Sequence, residues 1–190
     1  MINTFMKNDE KMKCSEFVTR LKNIATNYKT LYVMECYGAP LTKENKQKYT
    51  KNHHFNGSPE RQKKIEEASE DTFGFDCISL IKCVLWGWSG DKNHPCGGAT
   101  YGINGVPDID SAEMIRECSG SSSDFQTIVP GEIVWLEGHI GVYIGDGLVV
   151  ECSPSFKDKV QFTALENIGK KTGYDGRHWA KHAKLPYIEY

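Results

Sequence analysis

The sequence has little excess of charge of either sign. Among its 190 residues, 23 are Lys or Arg and 25 are Asp or Glu, which gives a formal net charge of −2. A protein dedicated to nucleic acid usually carries a basic excess, so we expect no nucleic-acid partner. The length suits one domain, and a hydrophobic content of 39% is sufficient for one core.

Long apolar runs are also missing from the sequence. No window reaches the roughly 18 apolar residues of a membrane-spanning helix, so we expect no insertion into a membrane. The segment from Met1 to Lys11 contains no apolar stretch of signal-peptide length and no small-residue cleavage site. We therefore expect synthesis in the cytoplasm without a signal peptide, and residues 1–12 are predicted to be a flexible polar tail.

Metal-binding spacings are absent, although the sequence is rich in cysteine. None of the seven cysteines forms a C-x-x-C pair, and the six histidines also lack zinc-ligand spacing. We therefore predict no metal site and no cofactor. Because seven is an odd number, at least one thiol cannot pair within the chain, and many free thiols are typical of synthesis in a reducing compartment.

The first half of the predicted domain, which spans residues 13–190, has the spacing of helices. Apolar residues recur at helical intervals over 14–31, and the strongest apolar helix is predicted over 77–88. Residues 42–71 are very polar and are predicted to form solvated helical turns. Helices therefore come first in this chain.

The second half has the pattern of strands. Gly145-Asp146-Gly147 is a strong hairpin signal between two of them. Residues 119–123 are predicted to be a polar linker. The predicted strands lie at 132–136, 139–144, 148–152, near 160–162 and over 185–190. Helices followed by strands indicate an α+β fold with an antiparallel sheet.

Cys77 lies where a nucleophilic thiol gains reactivity. It opens the predicted apolar helix, and a helix N-terminus presents free N–H groups and a partial positive charge that stabilise a thiolate. The negative charge of the preceding Asp76 disfavours a thiolate at Cys77, so we assign Asp76 a different role. Considered alone, any one of these cysteines is more often a small core residue.

His139 and Glu151 are predicted to meet across the hairpin. Histidine is the usual base for a cysteine nucleophile, and two nearby glycines allow another group to approach its backbone closely. Residues 139 and 151 are twelve apart with the turn near the midpoint, which brings them close to opposite each other on one side. Glu151 could then hold the imidazole in the required tautomer, or it could equally face outward.

These segments resemble the motifs of NlpC/P60 cysteine peptidases. Residues 75–81 (FDCISLI) resemble the cysteine motif of the family. Residues 130–135 (PGEIVW) and 138–145 (GHIGVYIG) resemble its histidine motif. Glu151 occupies the place of the third polar residue, and Tyr32 looks like the tyrosine that precedes the cysteine motif.

The resemblance implies a papain-like NlpC/P60 fold, with N-terminal helices packed on a central antiparallel sheet. It implies a peptidoglycan hydrolase in which Cys77 is the nucleophile, His139 the base and Glu151 the orienting residue. Tyr32 and Asp76 would contact the substrate, a bacterial peptidoglycan stem peptide. The bond most often cleaved in the family joins D-glutamate to the diamino acid. A lysin of this kind would act on the cell wall after release from the cytoplasm.

Departures from the family leave the substrate open. Ile78-Ser79 follows the cysteine where the family usually has Ser-Gly, and Glu151 replaces a more common His, Asn or Gln. The loop over 97–108 and the C-terminal residues 182–188 look more like phage or prophage lysins than bacterial housekeeping members. The alternatives are an N-acetylmuramoyl-L-alanine amidase, an inactive binding module, a toxin effector, and an acyltransferase or deamidase acting on proteins. The oligomeric state stays open.

Overall fold

A computed structural model describes residues 11–190 of the chain. Within this range the chain forms a mixed α+β structure, which confirms the predicted fold class at this level. The five α-helices are α1 (Cys14–Asn27), α2 (Lys43–Asn52), α3 (Pro59–Glu67), α4 (Cys77–Leu85) and α5 (Ser111–Glu117). The strands are β1 (Met12–Lys13), β2 (Thr30–Tyr32), β3 (Tyr37–Pro40), β4 (Phe73–Phe75), β5 (Ser119–Ser122), β6 (Ile133–Leu136), β7 (His139–Gly145), β8 (Leu148–Ser153), β9 (Lys159–Leu165), β10 (Gly176–Arg177), β11 (Lys181–Lys184) and β12 (Ile188–Glu189).

The largest sheet has seven strands in the order β10-β9-β8-β7-β6-β11-β5. The strands β6 to β9 follow one another as antiparallel neighbours, whereas β10 pairs with β9 in parallel. Alternate residues of β7 separate its two faces. Ile140 and Val142 pack in the main core with α1 and α4, whereas Tyr143 packs in a second cluster that includes Trp179.

A three-stranded sheet in the order β2-β4-β3 leads the chain into α4. β2 runs parallel to β4, and this register places Tyr32 beside Phe75. Because Cys77 follows Phe75 by two residues, the pairing brings Tyr32 to the start of α4. All nine residues of this helix are buried, as expected for the strongest apolar run in the sequence.

The polar segment 42–71 forms two short helices that have a small core of their own. Tyr49 of α2 and Ile65 of α3 pack there against buried residues around β3, including Cys36 and Leu41. Polar residues dominate both helices because only this narrow stripe faces the protein. The prediction of helical turns is therefore confirmed.

Several predicted boundaries change in the structure. The predicted tail over 1–12 lies mostly outside the described residues, but Met12 pairs with Ile188 in a short parallel ladder. The helix predicted over 14–31 ends at Asn27, and the predicted linker contains strand β5. Among residues 11–190, no helix combines the length and the apolar character required to cross a membrane.

Candidate active site

Cys77 is the first residue of α4 and lines a cleft of about 400 Å³. Tyr32, Asp76 and Gly138 line the same cleft. The backbone N–H of Ile140 lies close enough to the Cys77 sulfur to influence its ionisation. Since Gly138 and Ile140 are the two chain neighbours of His139, the strand that carries the histidine meets Cys77 at this point.

Asp76 determines where α4 begins. Its carboxylate accepts a hydrogen bond from the N–H of Ser79 at 2.7 Å and another from the N–H of Glu35 at 2.9 Å. The Ser79 hydroxyl in turn accepts from the N–H of Asp76, which completes a capping box. Burial raises the pKa of the Asp76 carboxyl, although these N–H groups act in the opposite direction. Its contact with substrate stays a prediction, and its described role is that of a helix cap.

Tyr32 is buried beside Cys77. The guanidinium of Arg61 lies 5.8 Å from the centre of its ring, and Phe55 packs against the ring edge to face. Burial raises the pKa of the Tyr32 hydroxyl well above its ordinary value, and the neighbouring Cys77 adds to this shift. The hydroxyl therefore stays protonated and remains a hydrogen-bond donor.

His139 and Glu151 are directly bonded. His139 Nε2 lies 2.6 Å from Glu151 Oε2, and Glu151 is completely buried. A carboxylate in this position selects the tautomer of the ring and holds its orientation. With Nε2 engaged, Nδ1 is the ring nitrogen that can receive a proton.

The strand register explains why the two residues share a face. At the turn Gly145 pairs with Leu148, but further along Val142 pairs with Val150, so the register shifts by one residue between them. One step beyond, Glu151 lies beside Gly141, on the same face as His139. Without this shift Glu151 would lie beside Val142 and face the main core. The predicted shared face is found, but the pair is diagonal rather than directly opposite.

A row of polar side chains continues from His139 across four neighbouring strands. After His139 on β7 and Glu151 on β8 come Thr163 on β9 and Arg177 on β10. The Thr163 hydroxyl donates to Glu151 Oε1 at 2.6 Å, and Arg177 Nε donates to the same oxygen at 3.1 Å. Burial raises the pKa of the Glu151 carboxyl, but the hydrogen bond and charge of His139, with Arg177 and Thr163, hold it below its ordinary value.

Trp179 forms a flat wall against His139. The two rings are stacked with centroids 5.3 Å apart and an interplanar angle of 17°. Gly141 makes this possible, because a side chain there would meet Trp179 and Val149. Asn167 fixes the backbone of Trp179 through two hydrogen bonds, at 2.8 and 2.9 Å. The expected close approach near the flanking glycines is thus found at Gly141.

The thiol of Cys77 is not ionised by its helix position alone. Burial raises its pKa to about 12, and the negative charge of Asp76 adds to this effect. The N–H groups of Ile140, Ile78 and Cys77 itself favour the thiolate but do not outweigh burial. The resting thiol therefore keeps its proton near neutral pH, and a base is needed to form the thiolate.

The sequence reasoning did not find three residues of this site. Thr163, Arg177 and Trp179 all follow the predicted hairpin; Arg177 lies on the two-residue strand β10, and Trp179 lies between β10 and β11. Polar residues at alternate positions of β9, namely Lys159, Gln161 and Thr163, were the one signal available. Arg177 and Trp179 lie in a segment without periodicity, so only the folded chain brings them to His139.

Metal ligation is not supported in the described range. Residues 11–190 contain no group of three or more His, Cys, Asp or Glu side chains able to hold a metal ion. The seven cysteines are all free thiols.

Comparison with solved structures gives a distant likeness. No family model matches the sequence, and no match is found among curated proteins. The structure of NlpC1 from Trichomonas vaginalis is similar over 95% of this chain, with a TM-score of 0.48 and 13% sequence identity. The chain spans about half the length of that protein, of which 48% is covered.

Proposed function

We propose that this chain is a peptidoglycan hydrolase that cleaves an amide bond of the stem peptide with Cys77 as nucleophile. The observation that carries the proposal is the buried bond between His139 and Glu151, beside a cleft lined by a thiol at a helix start. Nucleophile, base and orienting acid are the three parts that acyl transfer requires. The order of the sequence motifs supports a papain-like fold of the NlpC/P60 type.

In the first step, the Cys77 sulfur attacks the scissile carbonyl while its proton passes to His139 Nδ1. The transfer accompanies the attack because the thiol is protonated at rest. A carbon–sulfur bond forms, and the carbonyl oxygen becomes an oxyanion. The N–H of Cys77 and the hydroxyl of Tyr32 are the donors that we assign to it.

In the second step, the carbon–nitrogen bond breaks and His139 returns the proton to the leaving amine. Water then attacks the thioester while His139 takes one of its protons. The carbon–sulfur bond breaks, the acid product leaves, and the thiol is restored with the proton from His139. Glu151 keeps the ring in one orientation through both half-reactions.

The proposed substrate class follows from the motif resemblance. Peptidoglycan stem peptides are the partners of this family, and the bond between D-glutamate and the diamino acid is the one we propose. The phage or prophage origin and the action on the wall after release belong to the same proposal. The amidase bond next to N-acetylmuramic acid requires the same chemical groups.

Incubation of the protein with purified cell walls tests the reaction class. We expect new primary amines in the soluble fraction, without release of ammonia. Ammonia from glutamine-containing proteins would identify a deamidase instead, and transfer to an added amine would identify an acyltransferase. Binding to the walls without any product would identify an inactive module and contradict the proposal.

Two substitutions at Glu151 separate its charge from its shape. Glu151→Gln retains an acceptor for His139 but removes the negative charge that favours the imidazolium. We expect an approximately tenfold loss of kcat and an acidic limb of the pH–rate profile displaced to lower pH. Glu151→Ala leaves the His139 ring free to rotate, so we expect a loss of kcat of about a hundredfold. Kinetics from pH 5 to 9 are decisive, because wild-type rates with an unshifted profile for Glu151→Ala would show that another group holds His139.

Removal of divalent metals is expected to leave the activity unchanged. A thiol nucleophile with a histidine base requires no metal-bound water. Turnover of purified walls before and after dialysis against a chelator measures this directly. Loss of activity that zinc alone restores would contradict the proposed mechanism.

A further inference from the structure

Arg177 makes a two-point contact with the buried acid of the site. Its Nε donates to Glu151 Oε1 at 3.1 Å, and its terminal NH2 group lies 3.0 Å from Oε2. The Glu151 side chain has no solvent exposure, whereas that of Arg177 is 19% exposed. Two-point pairing of guanidinium with carboxylate fixes both the charge and the orientation of the acid.

Each oxygen of Glu151 therefore has two partners. Oε1 accepts hydrogen bonds from Thr163 and Arg177. Oε2 is bonded to His139 Nε2 and also lies against a terminal nitrogen of Arg177. With the guanidinium present, His139 faces a carboxylate whose charge is already balanced. Without it, the buried negative charge would act on the imidazole alone and favour its protonated form.

Arg177 also contacts Trp179, the residue that stacks on the His139 ring. Its guanidinium lies 5.6 Å from the ring centre of Trp179 and 5.0 Å from that of Phe156. Trp179 stacks on the His139 ring, and Glu151 is bonded to Nε2 of the same ring. One side chain thus contacts both residues that hold the imidazole in place.

We propose that Arg177 is a positioning residue that balances the charge of Glu151 and thereby keeps His139 available as a base. This inference rests on the proposed role of His139. In the described chain, the charged group in contact with this pair is Arg177 from β10, with the neutral hydroxyl of Thr163 from β9 beside it. On α4, the Cys77 thiol meets the same strand as His139 at the N–H of Ile140.

The test compares Arg177→Met with wild type in a titration of His139. Methionine keeps a long apolar stem but removes the charge. We expect the midpoint of the His139 ring, followed by NMR in histidine-labelled protein, to rise by about one pH unit. We also expect about tenfold less turnover near pH 6, recovered at higher pH. Arg20→Met, which removes an exposed surface pair with Glu16 at 2.8 Å, is the matched control and should change neither quantity.

The double variant Arg177→Met/Glu151→Gln distinguishes charge balance from a general loss of packing. With the acid neutralised as well, the midpoint of His139 is expected to return to the wild-type value or below. A double variant whose midpoint stays as high as that of Arg177→Met would overturn the proposal, as would an unshifted midpoint in Arg177→Met itself. Since the titration uses no substrate, a shifted midpoint in a protein that never cleaves cell walls would refute the proposed function and leave the role of Arg177 intact.

If Arg177→Met does not fold, Arg177→Lys provides the decisive variant. Lysine keeps the positive charge but cannot contact both oxygens of Glu151 as the planar guanidinium does. We expect a midpoint close to that of wild type together with a loss of kcat of about tenfold. Wild-type kcat in this variant would overturn the positioning role.

Discussion

Substitution of Cys77 by alanine is expected to lower the turnover of peptidoglycan by at least about 10⁴-fold while the protein stays folded. The loss follows from the removal of the only atom that can form the thioester in the proposed reaction. The fold should persist because Asp76 and Ser79 cap α4 through groups that do not involve the thiol. Turnover of purified walls and the thermal midpoint of the variant measure the two effects separately.

Cys83→Ala is the matched control for this substitution. Cys83 lies on the same helix and is completely buried in the main core. Its loss should lower the thermal midpoint through a small cavity but leave kcat close to wild type. If Cys77→Ala retained more than trace turnover, or if Cys83→Ala lost as much, Cys77 would not be the nucleophile.

Substitution of His139 by alanine is expected to cost about 10² to 10⁴-fold in kcat. The protonated thiol would then have no base, and the leaving amine would have no acid. The substitution also opens a space against Trp179 and beside Glu151, where the imidazole normally lies. Added imidazole should therefore restore part of the rate, because a free ring can enter this space and accept the proton.

His54→Ala serves as the control for the histidine substitution. His54 is exposed and follows helix α2 by two residues. We expect wild-type turnover from this variant and no response to added imidazole. Steady-state kinetics with and without imidazole are sufficient to decide. Turnover at the wild-type level in His139→Ala would remove the base from the mechanism.

His139 and His182 have similar surroundings in the structure. Both are buried, and both bond a buried glutamate, since His182 Nδ1 lies 2.5 Å from Glu132 Oε2. His182 Nε2 also lies 3.0 Å from the carbonyl oxygen of Asp124, so its ring joins two segments of the chain. The motif around His139 and its even separation from Glu151 across the Gly145-Asp146-Gly147 turn are what favour His139 in the sequence.

The position of Glu151 could be predicted only in part. An even separation from His139 correctly placed the two residues on one face. The register shift between Tyr143 and Gly145 was not visible, because the turn residues are compatible with more than one register. The pairing that results depends on how β7 packs against the core, which is a property of the whole sheet.

Other parts of the fold lack a local signal. Strand β5 consists of small polar residues at the edge of the sheet, so no apolar alternation marks it. Arg177 reaches Glu151 through a two-residue strand that pairs only at Gly176 and Arg177. Contacts of this kind depend on long-range packing, and for this reason the sequence does not reveal the groups that support His139.

Mass spectrometry of the soluble muropeptides released from purified peptidoglycan tests the central claim most directly. We predict fragments in which the D-glutamate carries a new free carboxyl and the diamino acid a new free amine, with one water added per cut. These fragments should be absent after incubation with Cys77→Ala and present after incubation with Cys83→Ala. Intact stem peptides after incubation with the wild-type protein, or the same fragments from Cys77→Ala, would contradict the account.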